Sequence, residues 1–128
     1  MRSADLSQFT VEQLLGRFVA LCLQDERAMK LAQVSVRNRL VVEISDITKE
    51  LKKRPGDQRG ALIGLFDHPN LQVRYHVATN LMNMIPERAL REMNSIADSK
   101  IYPIAGCAGT YLVMQELAAK EISQNNKS

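Results

Sequence analysis

The chain has 128 residues, of which 45% are hydrophobic and 24% are charged, a composition that excludes disorder for the body of the chain and is typical of one globular domain. Seventeen Lys and Arg against fourteen Asp and Glu leave a net charge of +3, which is too small an excess to indicate a nucleic-acid-binding protein by itself. Aromatic residues make up 5% and Trp is absent. The core must therefore be built from aliphatic residues, Met and Ala, which favours helices packed on helices.

Two features of the sequence bear on the cell compartment. The longest apolar run, residues 18–23, is far shorter than the roughly 20 residues of a membrane helix, and polar residues follow the N-terminus where a signal peptide would be apolar. Cys22 and Cys107 lie far apart on apolar segments, so reduced, buried thiols are favoured over a disulfide or a reactive thiol. These patterns predict a cytoplasmic protein with no membrane partner.

The N-terminal part of the chain predicts three helices. Thr10 and Gln13 form a capping-box pattern at the start of a helix over 11–23, whose apolar positions recur at helical spacing. Asp25 can cap a short second helix. A long third helix is predicted over 35–53, where apolar residues keep a spacing of three or four over four turns.

Four further helices are predicted in the rest of the chain. Asp57 starts the fourth helix, Asn70 caps the fifth, and Pro86 suits the first turn of the sixth, where its missing N–H is no loss. The seventh begins near residue 103 and ends near residue 122. No segment alternates at period two and the connections are short, so the sequence predicts an all-α fold of antiparallel neighbours.

An internal repeat appears when the chain is shifted by 31 residues. Apolar positions of two successive helices then coincide: Leu62, Leu65 and Phe66 with Met93, Ile96 and Ala97, and Val73, Val77 and Leu81 with Ile104, Ala108 and Leu112. Such a repeat is typical of helical hairpins that bury their inner faces by stacking. We therefore predict a single domain with hairpins at 57–85 and 86–122, an N-terminal helical cap at 10–54, and flexible ends at 1–9 and 123–128.

The stretch from Leu65 to Arg74, followed by Ala78 and Leu81, resembles a HEAT-like hairpin, whose second helix typically opens with Val-Arg. A wider pattern resembles an uncharacterised bacterial family of domains of unknown function, and is carried by Asn38-Arg39-Leu40, Glu50-Leu51, Val73-Arg74, Pro86-Glu87 with Ala89, and Ile96-Ala97. The resemblance implies a short HEAT-like or armadillo-type right-handed superhelix of about seven helices. It implies no chemistry.

Residue types that serve catalysis are sparse. The only histidines, His68 and His76, are eight positions apart rather than the four of a helical zinc pair, and no nucleophile motif or phosphate-binding loop is present. The sequence therefore predicts no enzyme, no metal site and no cofactor. A small enzyme in which Asp67, His68 and His76 converge with Arg74 is the weakest alternative.

Four residues are candidates for binding a partner. Arg74 could tie neighbouring hairpins by reaching back to Asp67 or to nearby carbonyls. Alternatively, it could face a ligand together with Asn38, Arg39 and His76, because a guanidinium suits a carboxylate or phosphate. Asn38 could equally bond the end of a neighbouring helix.

Glycines interrupt the last predicted helix. Gly106 and Gly109 lie inside it, where each costs about 1 kcal/mol relative to Ala. Close packing against another helix is the expected reason for both. A glycine-bounded groove for a ligand is the alternative.

Repeat architecture without a catalytic constellation predicts a non-enzymatic module that binds another protein, with an immunity-type factor as one version. A homodimer through the last helix would cover an apolar end of the stack. The alternative function is binding of nucleic-acid backbones through a basic helix face. The residues of that face would be Arg27, Lys30, Lys49, Lys52, Lys53, Arg54 and Arg59.

Overall fold

A computed structural model describes residues 5–125, and within them the regular structure is helical without a single strand. This confirms the predicted all-α class. Five α-helices and two 3-10 segments follow one another along these residues. The helices are α1 (Val11–Lys30), α2 (Val34–Lys53), α3 (Leu71–Leu81), α4 (Pro86–Asp98) and α5 (Ile104–Asn125), and the 3-10 segments are Leu6–Gln8 and Gln58–Asp67.

The first two predicted helices are a single helix, so the predicted number of about seven helices is wrong. The capping box is confirmed, since the Gln13 N–H donates to Thr10 Oγ1 at 3.1 Å and the Thr10 N–H donates to Gln13 Oε1 at 2.9 Å. Asp25 does not cap a second helix. It lies inside α1 and is fully buried. The chain turns only at Ala32, which adopts a left-handed conformation with φ 55°.

The predicted fourth helix is the ten-residue 3-10 segment. Gly56 and Asp57 precede it with φ values of 78° and 48°, and glycine adopts that left-handed conformation without steric cost. The starts of the next two helices are as predicted. Asn70 accepts from the N–H groups of Gln72 and Val73 at 2.8 Å and 3.1 Å, and Pro86 occupies the first turn of α4.

The helices pack in an order close to their order in the chain. Helix α1 lies against α2, α3 against α4, and α4 against α5, while α3 also contacts α1, α2 and α5. Burial follows the 31-residue offset at half of the six apolar pairs that the sequence aligned. Three of the six pairs are buried on both sides, namely Leu62 with Met93, Val73 with Ile104 and Val77 with Ala108, whereas the other three pairs have one partly buried member. The elements that carry Leu62 and Met93 differ in kind, however, because the first is a 3-10 segment and the second is the 13-residue helix α4.

The predicted flexible ends include residues 1–4 and 126–128, which lie outside the described residues. Residues 5–9 contain the short 3-10 segment, and Arg54, which directly follows α2, holds this part of the chain. Its Nη2 donates to the carbonyls of Leu6 and Phe9 at 3.0 Å and 2.7 Å. Residues 123–125 continue α5.

Helix α5 is much longer than its neighbour α4. Its 22 residues and the 13 of α4 correspond to about 33 Å and 20 Å at about 1.5 Å per residue. The first part of α5 buries Ile104, Ala105 and Ala108, whereas every residue from 113 to 125 is exposed. The helix therefore overhangs the body. Among the described residues, no helix combines the length and the hydrophobicity needed to cross a membrane.

Candidate functional site

A fully buried carboxylate joins three helices at the centre of the molecule. Asp25 of α1 accepts from Arg37 of α2, whose Nε lies 2.8 Å from Oδ1 and whose Nη2 lies 3.3 Å from Oδ2. Two side chains of α3 complete the set. Gln72 Nε2 donates to Oδ2 at 2.8 Å, and His76 Nε2 lies 2.7 Å from the same oxygen. Helices α1, α2 and α3 are thus linked through one residue.

Hydrogen bonds keep this carboxylate ionised. Burial by itself raises the pKa of Asp25, but the hydrogen bonds from His76, Arg37 and Gln72 outweigh it and hold the pKa well below its usual range. The hydrogen bond to Asp25 in turn raises the pKa of Arg37. No fully buried side-chain nitrogen or oxygen of the described residues lacks a partner. We call Asp25, Arg37, Gln72 and His76 the network. Its hydrogen bonds hold the Arg37 guanidinium in a fixed position.

The outer side of Arg37 lines an open cleft of about 630 Å³, where the start of α5 passes α2 and α3. Tyr75 and Tyr111 line the same cleft, with their ring centroids 6.5 Å apart and the rings nearly perpendicular. Burial raises the pKa of Tyr75 to about 12 and also raises the pKa of Tyr111. Both phenols are therefore protonated at neutral pH and can donate hydrogen bonds. We call this space the Arg37 cleft.

The two cysteines lie in different environments. Both are free thiols. Cys22 is fully buried in α1, and burial, followed by the charge of Asp25, raises its pKa. Cys107 is only half-buried and lines the Arg37 cleft. The prediction of buried thiols is confirmed for Cys22 and is wrong for Cys107, which α5 holds at the edge of an opening.

The predicted partner-binding residues have separate surroundings. Asn38 and Arg39 are exposed on α2, and Arg39 Nε lies 3.8 Å from Glu43. Arg74 on α3 pairs with Glu92 on α4. It thus links the two predicted hairpins, with Glu92 rather than Asp67 as its acceptor. His76 is buried against Asp25, so the structure does not gather these residues on one surface.

The residues of the weakest alternative, a small enzyme, also have different partners. Asp67 is exposed at the end of its 3-10 segment. Nδ1 of His68 accepts from the Asn70 N–H at 3.0 Å, whereas His76 contacts Asp25. Within residues 5–125, no three His, Cys, Asp or Glu side chains are grouped so that they could hold a metal ion.

Part of the predicted basic face is paired with carboxylates. Glu50 contacts both Lys53 at 3.2 Å and Arg54 at 2.9 Å. Arg59 forms an ion pair with Asp57. Three of the seven predicted cations thus have a carboxylate partner, with Glu50 shared between two of them, and Arg54 also donates to backbone carbonyls of the N-terminal segment. These pairings weaken the electrostatic reason for a contact with phosphates.

A second opening lies between α4 and α5. It has a volume of about 590 Å³, and its apolar lining includes Met82, Leu90, Leu112 and Val113. Leu90 and Val113 are exposed. The opening continues along α5 to Ala119, so it leads to the overhanging part of that helix. We call it the α4–α5 groove.

Within the described part of the chain, no neighbouring helix packs closely against the glycines of α5. A Cβ atom at Gly109 would meet no atom within 4 Å, and one at Gly106 would only touch the Tyr102 ring at 3.8 Å. The expected packing role is therefore wrong. Gly106 instead lines the Arg37 cleft.

The most connected polar residue, Asp25, was missed as a site residue by sequence reasoning. Its signal is its position, since it falls four residues after Leu21 and seven after Phe18, on the apolar face of α1. A carboxylate on such a face needs buried donors. The sequence offers no comparable signal for Arg37 or Tyr75.

Comparisons with known proteins give a family but no activity. A family model with the description "Domain of unknown function (DUF2019)" matches residues 12–116. The chain is similar to the crystal structure of the protein RPA1889 from Rhodopseudomonas palustris CGA009, at 37% sequence identity and a TM-score of 0.80, over 89% of this chain and 94% of that chain. No curated protein matches. The predicted resemblance to a family of unknown function is confirmed, and this chain belongs to the DUF2019 family.

Proposed function

We propose that this chain is a non-enzymatic module that binds another protein, and that it does so through the overhanging half of α5 and the α4–α5 groove. The observation that carries the proposal is the exposure of apolar side chains on this half of α5. Val113 is 54% exposed, Met114 59%, Leu117 54% and Ile122 62%. Large apolar exposure along one stretch of helix is a feature of interaction surfaces.

The overhang also gains little stability from the core of this chain. Most helical stability in proteins comes from packing of an apolar face. Residues 113–125 are exposed throughout, so this chain packs little against them. A partner that covers Leu117 and Ile122 would supply the missing contacts.

A helix is the partner element that fits best. Half of the apolar pairs that an offset of 31 residues relates, between the 3-10 segment with α3 and the pair α4 and α5, are buried on both sides. This supports a HEAT-like interpretation of the stack, in which α5 is its last helix. In such stacks each unit covers the apolar face of its neighbour. A partner helix would lie in the α4–α5 groove, where the next unit of a longer stack would pack, with its apolar face turned to Leu90 and Val113.

The test compares two pairs of apolar-to-acidic substitutions. The double variant Leu117→Asp with Ile122→Asp changes the overhang, and Val34→Asp with Val42→Asp makes the same chemical change on α2, where both valines are exposed. The immobilised full-length proteins are used to capture partners from a lysate of the native host, and circular dichroism checks their folding. We expect a specific protein to be retained by the wild type and the α2 variant and lost with the α5 variant.

Three outcomes would contradict the proposal. Equal capture by all three proteins would place the binding surface elsewhere. Capture of this chain alone, with a dimer mass in light scattering, would replace the foreign partner by a second copy. Binding of duplex DNA that weakens steeply with salt would support the alternative function, since neutralised phosphates release counterions.

A further inference from the structure

We propose that the Arg37 cleft binds a small organic carboxylate with an apolar body. The inference does not rest on the proposed protein-binding function, because Arg37, Tyr75, Cys107 and Tyr111 take no part in that surface and Met114 is the one residue named for both. Its basis is the combination of a fixed guanidinium, two protonated phenols and an apolar wall around one opening.

The cation at the cleft is held in position before any ligand arrives. Two nitrogens of Arg37, Nε and Nη2, bond Asp25. The side chain nevertheless remains 28% exposed, whereas Asp25 is not exposed at all. The guanidinium thus lies between the buried carboxylate and the cleft. The N–H groups that do not bond Asp25 belong to a guanidinium that is already ordered, so they can bind a carboxylate with little further loss of side-chain entropy.

The charge at the cleft favours an anion. Among the described residues that line it, Arg37 is the charged one and no Asp or Glu takes part. Asp25 weakens the positive potential, but the cleft lies on the guanidinium side of the pair. The hydroxyls of Tyr75, Tyr111 and Thr110 supply neutral donors around the same opening.

The remaining lining suits an apolar ligand body. The perpendicular rings of Tyr75 and Tyr111, together with Met114, form the apolar part of the wall. Gly106 presents no side chain and leaves the opening free. The volume of about 630 Å³ falls within the range of roughly 300–1,000 Å³ that small-molecule sites occupy. An aromatic or short aliphatic monocarboxylate matches this size and polarity.

Cys107 provides a reporter inside the cleft. It lines the opening and is half-buried, whereas Cys22, the other cysteine of the sequence, is fully buried. Alkylation of the folded full-length protein by iodoacetamide, followed by mass spectrometry, therefore measures access to the cleft. The probe is phenylacetate. Phenylacetamide, which has nearly the same shape and no charge, is the control ligand.

We expect phenylacetate to slow the alkylation of Cys107 in a saturable manner and phenylacetamide to have little effect. Tyr111→Phe removes one donor and should raise the half-saturating concentration by about tenfold, as for the loss of one hydrogen bond to a charged group. Tyr102→Phe is the control, because Tyr102 lies beside Gly106 but is 70% exposed and is not among the residues that line the cleft. It should leave the concentration unchanged.

Nuclear magnetic resonance gives a second measurement that does not depend on thiol chemistry. Phenylacetate should shift the amide signals of Tyr75, Cys107 and Tyr111 in parallel with the protection of the thiol. The proposal would be overturned if phenylacetate and phenylacetamide had equal effects, or if neither had an effect. It would also be overturned if Tyr111→Phe and Tyr102→Phe weakened the binding of phenylacetate equally.

Discussion

Replacing Asp25 with Asn tests the buried network most directly, because the substitution keeps the shape of the side chain and removes its charge. The carboxylate oxygens accept from Arg37, Gln72 and His76. An amide has one acceptor oxygen, and its NH₂ group would face at least one of these donors. The variant therefore leaves the Arg37 cation without a counter-charge and leaves one donor without an acceptor.

The expected loss of stability is several kcal/mol. Removing one member of a buried charged pair costs about 3–5 kcal/mol, and a hydrogen bond to a charged group contributes about 1.5–3 kcal/mol. The Arg37 side chain is 28% exposed, so water can solvate it in the variant. We therefore expect the lower end of the range, about 3 kcal/mol. For a domain of this size the melting temperature should fall by about 10–15 °C.

Urea unfolding followed by circular dichroism measures this loss, since the chain has no Trp to report by fluorescence. Asp98→Asn is the matched control, because Asp98 is exposed at the end of α4 and should change the free energy of unfolding by less than about 0.5 kcal/mol. If Asp25→Asn were as stable as this control, the carboxylate would not hold the three helices together.

The pH dependence of the same comparison has a defined sign. The folded pKa of Asp25 is depressed, so the carboxylate stabilises the fold fully above its unfolded pKa of about 4 and loses this contribution as the pH falls through the folded pKa. The stability difference between wild type and Asp25→Asn should be constant above about pH 5 and shrink under more acidic conditions. A difference that grows on acidification would refute the reasoning.

Three further predictions concern the backbone and the thiols. Ala32→Gly should stabilise the fold by about 0.5–1 kcal/mol, because Ala32 has φ 55° and glycine relieves that strain; a loss in urea unfolding would contradict this. Gly109→Ala should also stabilise it, by up to about 1 kcal/mol, because glycine is a poor helix former and the added Cβ meets no atom within 4 Å; a lower melting temperature would show hidden crowding. In the folded protein, iodoacetamide should modify Cys107 and spare Cys22, whose pKa burial raises, until urea unfolds the chain; equal rates would contradict the burial of Cys22.

The elements that the sequence predicted well depend on residues a few positions apart. Thr10 and Gln13 form a capping box, Asn70 caps α3, and Pro86 opens α4. Each of these interactions is complete within one helical turn, so no knowledge of the tertiary structure is needed. The helical class of the described chain follows from the same local patterns.

The sequence predicted a break between two helices at Asp25, and this prediction is wrong because distant residues bind its side chain. A carboxylate near the middle of an apolar segment looks like a helix cap when only its neighbours are considered. Its actual partners are Arg37, Gln72 and His76, which lie 12, 47 and 51 positions away. Once these donors bind the carboxylate inside the core, the backbone of α1 continues without interruption.

The candidate surfaces could not be predicted for a similar reason. Leu117 and Ile122 are residue types that usually fill a core, and their exposure arises because α5 extends beyond α4. Arg74 and His76 are two positions apart on α3, but one pairs with Glu92 and the other with Asp25. The type of each residue was visible in the sequence, whereas its partner depends on the packing of the helices.

The presence of a buried ion pair in this core supports a link between the network and the Arg37 cleft. Well-packed apolar residues can often replace such a pair with no loss of stability. Three helices could therefore be held together without Asp25, Arg37 and His76. What apolar residues could not do is fix a guanidinium at the wall of an opening. In this protein the carboxylate is fully buried and the cation is partly exposed, so the network positions a charge as well as joining helices. Binding of an anion in the Arg37 cleft would explain why a buried carboxylate holds a partly exposed guanidinium, which the stability of the fold does not require.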